Sequence, residues 1–433
     1  MANMIQDLIY SLGNCLNCFP GSPTLKINGR SFKILRLLGE GGFSYVYLVQ
    51  DTNTSETFAL KKIRCPFGAE SVANAMREVE AYRLFAHVPG IIHMVDYSIS
   101  TDRGSSSADE ASKTVYVLLP YYRRGNLQDM INANVVNNAR FPERKLMVLF
   151  LGVCKALRSM HQYEHAPVAM ERMEMGDGDT ESGRVGGSRN NKGKAKGGQR
   201  NSSMAASLAD EEHEAEQERP LMAGENTVGG ANVKSYAHRD IKPGNIMIDD
   251  SGTTPILMDL GSVAASPLPI TSHSLAIATQ DTAAEHCTMP YRAPELFDVR
   301  TGTVIDTKVD IWSLGCTLFA CLVGKSPFEM RSDETGGTLS LCVLGGDWRF
   351  PDEGNPAGAG LRRSATNQSS AGAGAGAGAD AAARPGAETR ISEPVREIVR
   401  KCLAVEPSER PDIDELIEMV ENVIDELPED SAA

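Results

Sequence analysis

The sequence predicts an α+β fold of two lobes. A small, mainly β lobe with one key helix spans about 30–122, and a larger, mainly helical lobe spans about 123–427. Three observations carry this. Residues 30–119 read as short β-type runs around a single helical stretch. Apolar spacing turns helical after Gly125. Two polar, low-complexity stretches, 164–234 and 354–391, interrupt the pattern without adding core-forming residues. The chain has 433 residues, 41% of them apolar, enough for one bilobal domain with inserts.

The elements follow in order. Phe32–Leu38 and Tyr45–Gln50 flank a glycine-rich turn, as paired strands do. Thr57–Ile63 is a β-type run, Ser71–Phe85 is helical in composition, and Val115–Leu119 is a short buried-strand pattern. A polar loop occupies 101–113. Arg144–His161 carries Leu146, Leu149, Phe150, Val153, Leu157 and Met160 at helical spacing. In 164–234 the charges segregate into a basic half (Arg184 to Arg200) and an acidic half (Asp210 to Glu218). Such a segment buries too little apolar area to offset its ordering entropy, so disorder is expected. The 354–391 insert contains an alternating Ala-Gly tract at 371–379. The last helix, Asp412–Leu427, opens with Asp412 and Glu415 placed as a capping box.

Bulk properties exclude several classes. The formal charge of −14, 57 acids against 43 bases, argues against a dedicated nucleic-acid binder. Nine dispersed cysteines fit reduced cytosolic thiols and no disulfide framework. No run approaches the roughly 20 apolar residues of a spanning helix. No basic leader precedes Lys26, the first cation.

The chemistry is concentrated at His238-Arg239-Asp240-Ile241-Lys242-Pro243-Gly244-Asn245 and Asp259-Leu260-Gly261. An Asp, a Lys two residues on, an Asn five residues on and a second Asp downstream suit phosphoryl transfer. Asp240 orients a hydroxyl and accepts its proton. Lys242 neutralises charge on the transferred group. Asn245 and Asp259 hold Mg²⁺ through hard oxygen ligands. Upstream, Leu38-Gly39-Glu40-Gly41-Gly42-Phe43-Ser44-Tyr45-Val46 is a glycine-rich turn whose backbone can approach phosphates. That motif alone is weak. It gains weight from Ala59-Leu60-Lys61, since Lys61 can reach the α/β-phosphates of ATP and pair with a helix carboxylate. Glu78 is the candidate partner and Glu80 the fallback. Downstream come Thr288, Ala293-Pro294-Glu295, Asp310-Ile311-Trp312 and Arg410.

This order of motifs resembles the eukaryotic protein kinase family over about 30–427, inserts apart. The glycine-rich turn at 39–46, Leu119-Pro120-Tyr121-Tyr122 and Tyr236-Ala237-His238-Arg239-Asp240 resemble the Numb-associated kinase family. Met258–Ser262 and Gln280–Thr288 resemble one branch of it, the lipid-anchored serine/threonine kinase 16 group and its fungal vacuolar relatives. The resemblance implies a bilobal protein kinase fold and a helix near 275–286 within the activation segment. Leu119 is implied as gatekeeper and Tyr121 and Tyr122 as hinge, with Val46 and Ala59 against the adenine. It also implies a buried Glu295–Arg410 ion pair, Asp310 holding the catalytic-loop backbone, Thr288 bonded to Asp240 and Lys242, and Arg239 facing a phosphate or acid. Ser44 and Leu260 depart from the commonest kinase residues but fall within this group's usage. Lys242 marks a Ser/Thr-type enzyme.

Residues 1–29 are expected to form a membrane-anchor segment. Ile5, Leu8, Ile9, Leu12 and Leu16 make one helical stripe ending at Cys15 and Cys18. The resemblance implies palmitoylation there, since Ala2 excludes N-myristoylation. Two acyl chains give a stable anchor where one is marginal. A helix docked on the kinase lobe or half of a zinc site are the other readings, and no second cysteine pair supports zinc. The expectation is thus a Mg·ATP-dependent protein Ser/Thr kinase on the cytosolic face of an endomembrane, vacuole or Golgi by resemblance. A nucleotide-binding pseudokinase scaffold is the alternative, disfavoured because no member of the catalytic set is missing. A small-molecule kinase is disfavoured by Ala293-Pro294-Glu295.

Overall fold

The structure, a computed structural model, describes residues 24–101, 113–164, 233–353 and 391–429. The expectations for Cys15 and Cys18, the 101–113 loop and most of the two inserts lie outside the described residues.

The first lobe is a six-stranded antiparallel sheet in the order β1-β2-β3-β4-β6-β5. Its strands are β1 (Thr24–Ile27), β2 (Arg30–Glu40), β3 (Ser44–Asp51), β4 (Thr57–Cys65), β5 (Asp96–Thr101) and β6 (Lys113–Pro120). Inward-facing Ile27, Phe32, Val49, Phe58, Leu60 and Leu118 form one core cluster. Strand β1 lies inside the 1–29 segment that the sequence reading set apart from the domain. Asn28 and Gly29, both at positive φ (45° and 82°), make the two-residue turn that folds β1 onto β2. That Asn-Gly pair is a hairpin signal legible in the chain itself. Strand β5 has no sequence counterpart either; it is a half-exposed edge whose register comes from β6.

Helix α1 (Gly68–Leu84) crosses the sheet and buries Ala75, Glu78, Val79, Ala81, Tyr82 and Leu84. A carboxylate among those residues needs a partner, and β4 supplies it.

The second lobe is built on α2 (Leu127–Val136), started by an Asn126/Asp129 capping box, and α3 (Glu143–His161), whose apolar stripe is buried as its spacing predicts. After α3 the strands β7 (Tyr163–Glu164) and β8 (Val233–Ala237) pair antiparallel, Glu164 opposite Val233. The long insert therefore leaves and re-enters at adjacent backbone positions. A hairpin of β9 (Ile246–Ile248) and β10 (Pro255–Leu257) places residues 245 and 258 side by side, with Met258 N donating to Asn245 O at 2.9 Å. Strands β11 (Ala264–Ser266) and β12 (Leu268–Pro269) lead to α4 (His273–His286), the helix expected within the activation segment. Strand β13 (Val304–Ile305) follows, then α5 (Lys308–Val323), buried on every side from Val309 to Cys321. Helices α6 (Pro327–Thr335) and α8 (Glu393–Cys402) pack against it, and α7 (Leu339–Leu344) packs against α6. Helix α9 (Ile413–Glu426) starts at the expected Asp412/Glu415 box and lies on α3. Arg144 of α3 caps its last turn through the carbonyls of Ile424 and Leu427.

Seven cysteines among the described residues are free and buried, as the scattered spacing predicts. No single helix among the described residues is long and apolar enough to cross a membrane.

Candidate active site

Asp240 is only 6% exposed, yet its carboxylate meets three donors. Lys242 Nζ donates to Oδ2 at 2.7 Å, Asn245 Nδ2 to Oδ2 at 2.9 Å, and Thr288 N to Oδ1 at 2.9 Å. Lys242 Nζ also donates to Thr288 Oγ1 at 2.6 Å. A base, a cation and the segment that presents a substrate are thus tied at one point. The Asn245 amide nitrogen donates to Asp240 O as well, so its oxygen is the atom left for a ligand.

Sequence-local forces would not hold this loop. Arg239 sits at φ +69°, a left-handed conformation that a residue with a Cβ resists. The fully buried Asp310 of α5 stabilises it by accepting the backbone N–H of His238 and of Arg239, both at 2.7 Å. His161 Nε2 donates to the same carboxylate at 3.0 Å. Burial pushes the Asp310 carboxyl up, but His161, His238 and the Arg239 amide outweigh it and hold it below the usual carboxylate range. His238 completes the brace: Nδ1 accepts from Asp240 N at 3.3 Å and Nε2 donates to Met258 O at 3.1 Å.

Across the cleft, Lys61 of β4 stands between two carboxylates. Its Nζ lies 2.7 Å from Glu78 Oε1 and 2.9 Å from Asp259 Oδ1. Burial opposes the ammonium charge, but Asp259 and Glu78 more than offset it and raise the pKa of Lys61. Lys61 in turn holds Asp259 down at about 2. Glu78 moves the other way: burial, with repulsion from Asp259, outweighs Lys61 and pushes it up. The Lys61–Glu78 pair is therefore unequal, because one ammonium is shared by two acids. Asp259 is 35% exposed, so water screens its share. It also adopts a left-handed φ of +63°.

Asn245 and Asp259 fit a Mg²⁺ site. Both offer hard oxygens, and Mg²⁺ usually takes one or two protein ligands beside phosphate oxygens and water. The Asn245 oxygen is free of Asp240, and the half-exposed Asp259 carboxylate stays ionised.

The glycine-rich turn joins β2 to β3, with Gly39 opposite Val46 and Glu40 opposite Tyr45. Leu38 is the bulged residue in that register. Neither Gly39 nor Gly42 has a positive φ, and a Cβ built on either meets no protein atom within 4 Å. The protein's own packing does not demand glycine there; the space beside the turn is open. At Gly41 a Cβ would touch Ser44 Oγ at 3.0 Å. Phe43 is exposed at the tip, edge-on to Phe67. Ala59 and the buried Leu119 face each other across β4 and β6, and Val46 is opposite Lys61. Tyr121 and Tyr122 follow β6, partly buried, and Arg36 of β2 donates to the Tyr121 hydroxyl at 3.3 Å. A separate cavity of about 490 Å³, between α2, the end of α5 and Pro351–Asp352, holds none of these groups.

The supporting braces assemble as well. Arg410 grips Glu295 with both terminal nitrogens, at 2.7 and 2.9 Å, and also donates to the carbonyls of Ala404, Val405 and Lys308. Arg239 differs from the expectation. Among the described residues its buried Nε has no hydrogen-bond partner. The α4 C-terminus is held instead by Arg292, which donates to Ala284 O and Cys287 O, and by Ser262 Oγ, which donates to His286 O. Sequence reasoning passed over Tyr82, His161 and Arg292. Only Tyr82 had a signal, its position one helical turn after Glu78.

A protein kinase domain model matches residues 32–166 and 232–420. Serine/threonine-protein kinase ENV7 of Saccharomyces cerevisiae is 29% identical, covering 98% of this chain and 100% of its own length. Serine/threonine-protein kinase ppk13 of Schizosaccharomyces pombe is 32% identical, over 81% of this chain and 88% of its own. Serine/threonine-protein kinase 16 of Homo sapiens is 30% identical, over 77% and 82%.

Proposed function

The chain belongs to the protein kinase family, as a serine/threonine protein kinase, and from that premise we propose that it transfers the γ-phosphate of Mg·ATP to protein hydroxyls, its own included, while anchored at the cytosolic face of an endomembrane. One observation carries the catalytic reading: Asp240, Lys242, Asn245 and Thr288 form a single hydrogen-bonded unit, and Lys61–Glu78–Asp259 forms another.

The roles follow from the geometry. Asp240 takes the proton of a serine or threonine hydroxyl as its oxygen bonds to the γ-phosphorus and the bond to the ADP oxygen breaks. Lys242, already aimed by Asp240 and Thr288, neutralises charge on the moving phosphoryl group. Lys61 exchanges its hold on Asp259 for the nucleotide phosphates, and Glu78 keeps it aimed. Mg²⁺, held by Asn245 and Asp259, would supply the cationic charge that offsets the phosphates. The backbone at Gly39–Gly42 closes over them.

The test is phosphate transfer from ATP with and without Mg²⁺, with phosphosites mapped, for wild type, Asp240→Asn and Lys61→Ala. Transfer should need Mg²⁺, fall on serine and threonine, and vanish in both variants. Wild-type transfer no higher than theirs across several substrates sinks the reading. The anchoring part rests on the Cys15/Cys18 stripe in the sequence. A Cys15→Ser/Cys18→Ser protein should leave the membrane fraction of cells; unchanged membrane association overturns it.

A further inference from the structure

Tyr82 lies on α1 one turn beyond Glu78 and is 1% exposed. Its hydroxyl donates to Glu78 Oε1 at 2.9 Å, the same oxygen that receives Lys61 at 2.7 Å. Helix α1 packs along the turn Leu260–Ser262, and a Cβ at Gly261 would lie 3.4 Å from Glu78 Oε2 and 3.5 Å from Asp259 Oδ1. The buried hydroxyl therefore holds Glu78 from its own helix, beside the turn that follows Asp259.

We propose that Tyr82 is a positioning residue of the phosphoryl-transfer site, its hydroxyl holding Glu78 in place so that Lys61 stays aimed at the phosphates. The proposal rests on the catalytic reading above. Its physical basis is a shortage of donors. Glu78 is buried beside a second carboxylate, and Lys61 is divided between the two. A buried carboxylate with a single shared donor is under-satisfied and free to turn away. Tyr82 supplies the second donor from a rigid ring. The same ring is fixed by burial, so the hydroxyl costs little entropy to place. The turn that Glu78 lies against begins at Asp259, whose left-handed φ is maintained by its surroundings.

Tyr82→Phe keeps the packing and removes only the hydroxyl. The titratable groups acting on Glu78 are Lys61 from β4, Asp259 from the loop and Tyr82 from its own helix. Carboxyl-¹³C glutamate labelling, with Glu78→Gln to identify the resonance, reads Glu78 directly. In Tyr82→Phe its titration should move up by about one pH unit, the size of one hydrogen bond to a charged group. The kcat should fall roughly tenfold and its acid limb should move up with Glu78, while KM for a peptide substrate stays within twofold. A merely structural role would lower the melting temperature without moving the titration. An unmoved Glu78 titration, or a kcat within twofold of wild type at every pH, overturns the proposal. Were wild type to transfer no phosphate, the catalytic reading would fall, and the titration would still decide the Tyr82 link on its own.

Discussion

Asp310→Asn tests whether a helix residue far along the chain sets the catalytic loop. The substitution preserves shape and replaces one carboxylate oxygen with an NH₂. Asp310 Oδ2 accepts His238 N and Oδ1 accepts Arg239 N, both at 2.7 Å, so in either amide orientation one backbone N–H would face a donor. The loss is one charge-assisted hydrogen bond plus one buried N–H left unpaired, about 2–4 kcal/mol. For a domain of this size that lowers the melting temperature by roughly 3–7 °C. Catalysis should suffer more. Arg239 at φ +69° is strained by about 1–2 kcal/mol, and without its restraint the loop relaxes, shifting Asp240. A displacement near 1 Å costs on the order of 100-fold in rate. Melting curves and steady-state kcat, measured side by side, give both numbers. The sign of the pH dependence also follows. The fold lowers the Asp310 pKa, so its contribution is complete above the unfolded value near 3.8 and is lost as pH falls through the lower folded value. The gap in melting temperature between wild type and variant should persist from pH 5 to 8 and narrow in acid below that range. A variant melting within 2 °C of wild type with kcat within threefold would refute the assignment of Asp310 as the brace.

Gly42→Val should leave the nucleotide-free melting temperature unchanged, since a Cβ there meets no protein atom within 4 Å, while KM for ATP rises about tenfold or more; a destabilised variant with normal KM would show that the glycine serves the fold. Arg410→Met should cost about 3–5 kcal/mol by leaving Glu295 without its guanidinium, readable by denaturant titration; a loss under 1 kcal/mol would contradict the pairing. Replacing residues 165–232 by Asn-Gly should keep melting temperature within about 2 °C and kcat within twofold, because Glu164 already pairs with Val233 as a two-residue hairpin turn requires. Loss of folding in that variant would mean that the insert supports the domain.

The linear chain was sufficient for several of the elements and for the candidate chemistry of the site. Spacing alone located the buried stripe of α3, because a helix must bury one face every 3.6 residues, and the Asp412/Glu415 capping box located the start of α9. The motifs named Asp240, Lys242, Asn245, Asp259 and Lys61, because phosphoryl transfer needs those groups whatever their surroundings. Glu78 was preferred over Glu80 on helical geometry, and the structure brings Glu78, buried, to Lys61. Two misses were local: the Asn28-Gly29 turn that adds β1, and Tyr82 one turn from Glu78. Others lay beyond any local signal. Strand β5 takes its register from β6, and His161 meets Asp310 across 149 positions. Arg239 was expected to face an acid or phosphate, yet among the described residues its buried Nε has no partner. The same holds for the charges: one lysine shared by two acids lowers Asp259 and leaves Glu78 raised. Such balances depend on distance and burial, which residue order does not encode; they come into being only when β4, α1 and the β9–β10 hairpin close on one another.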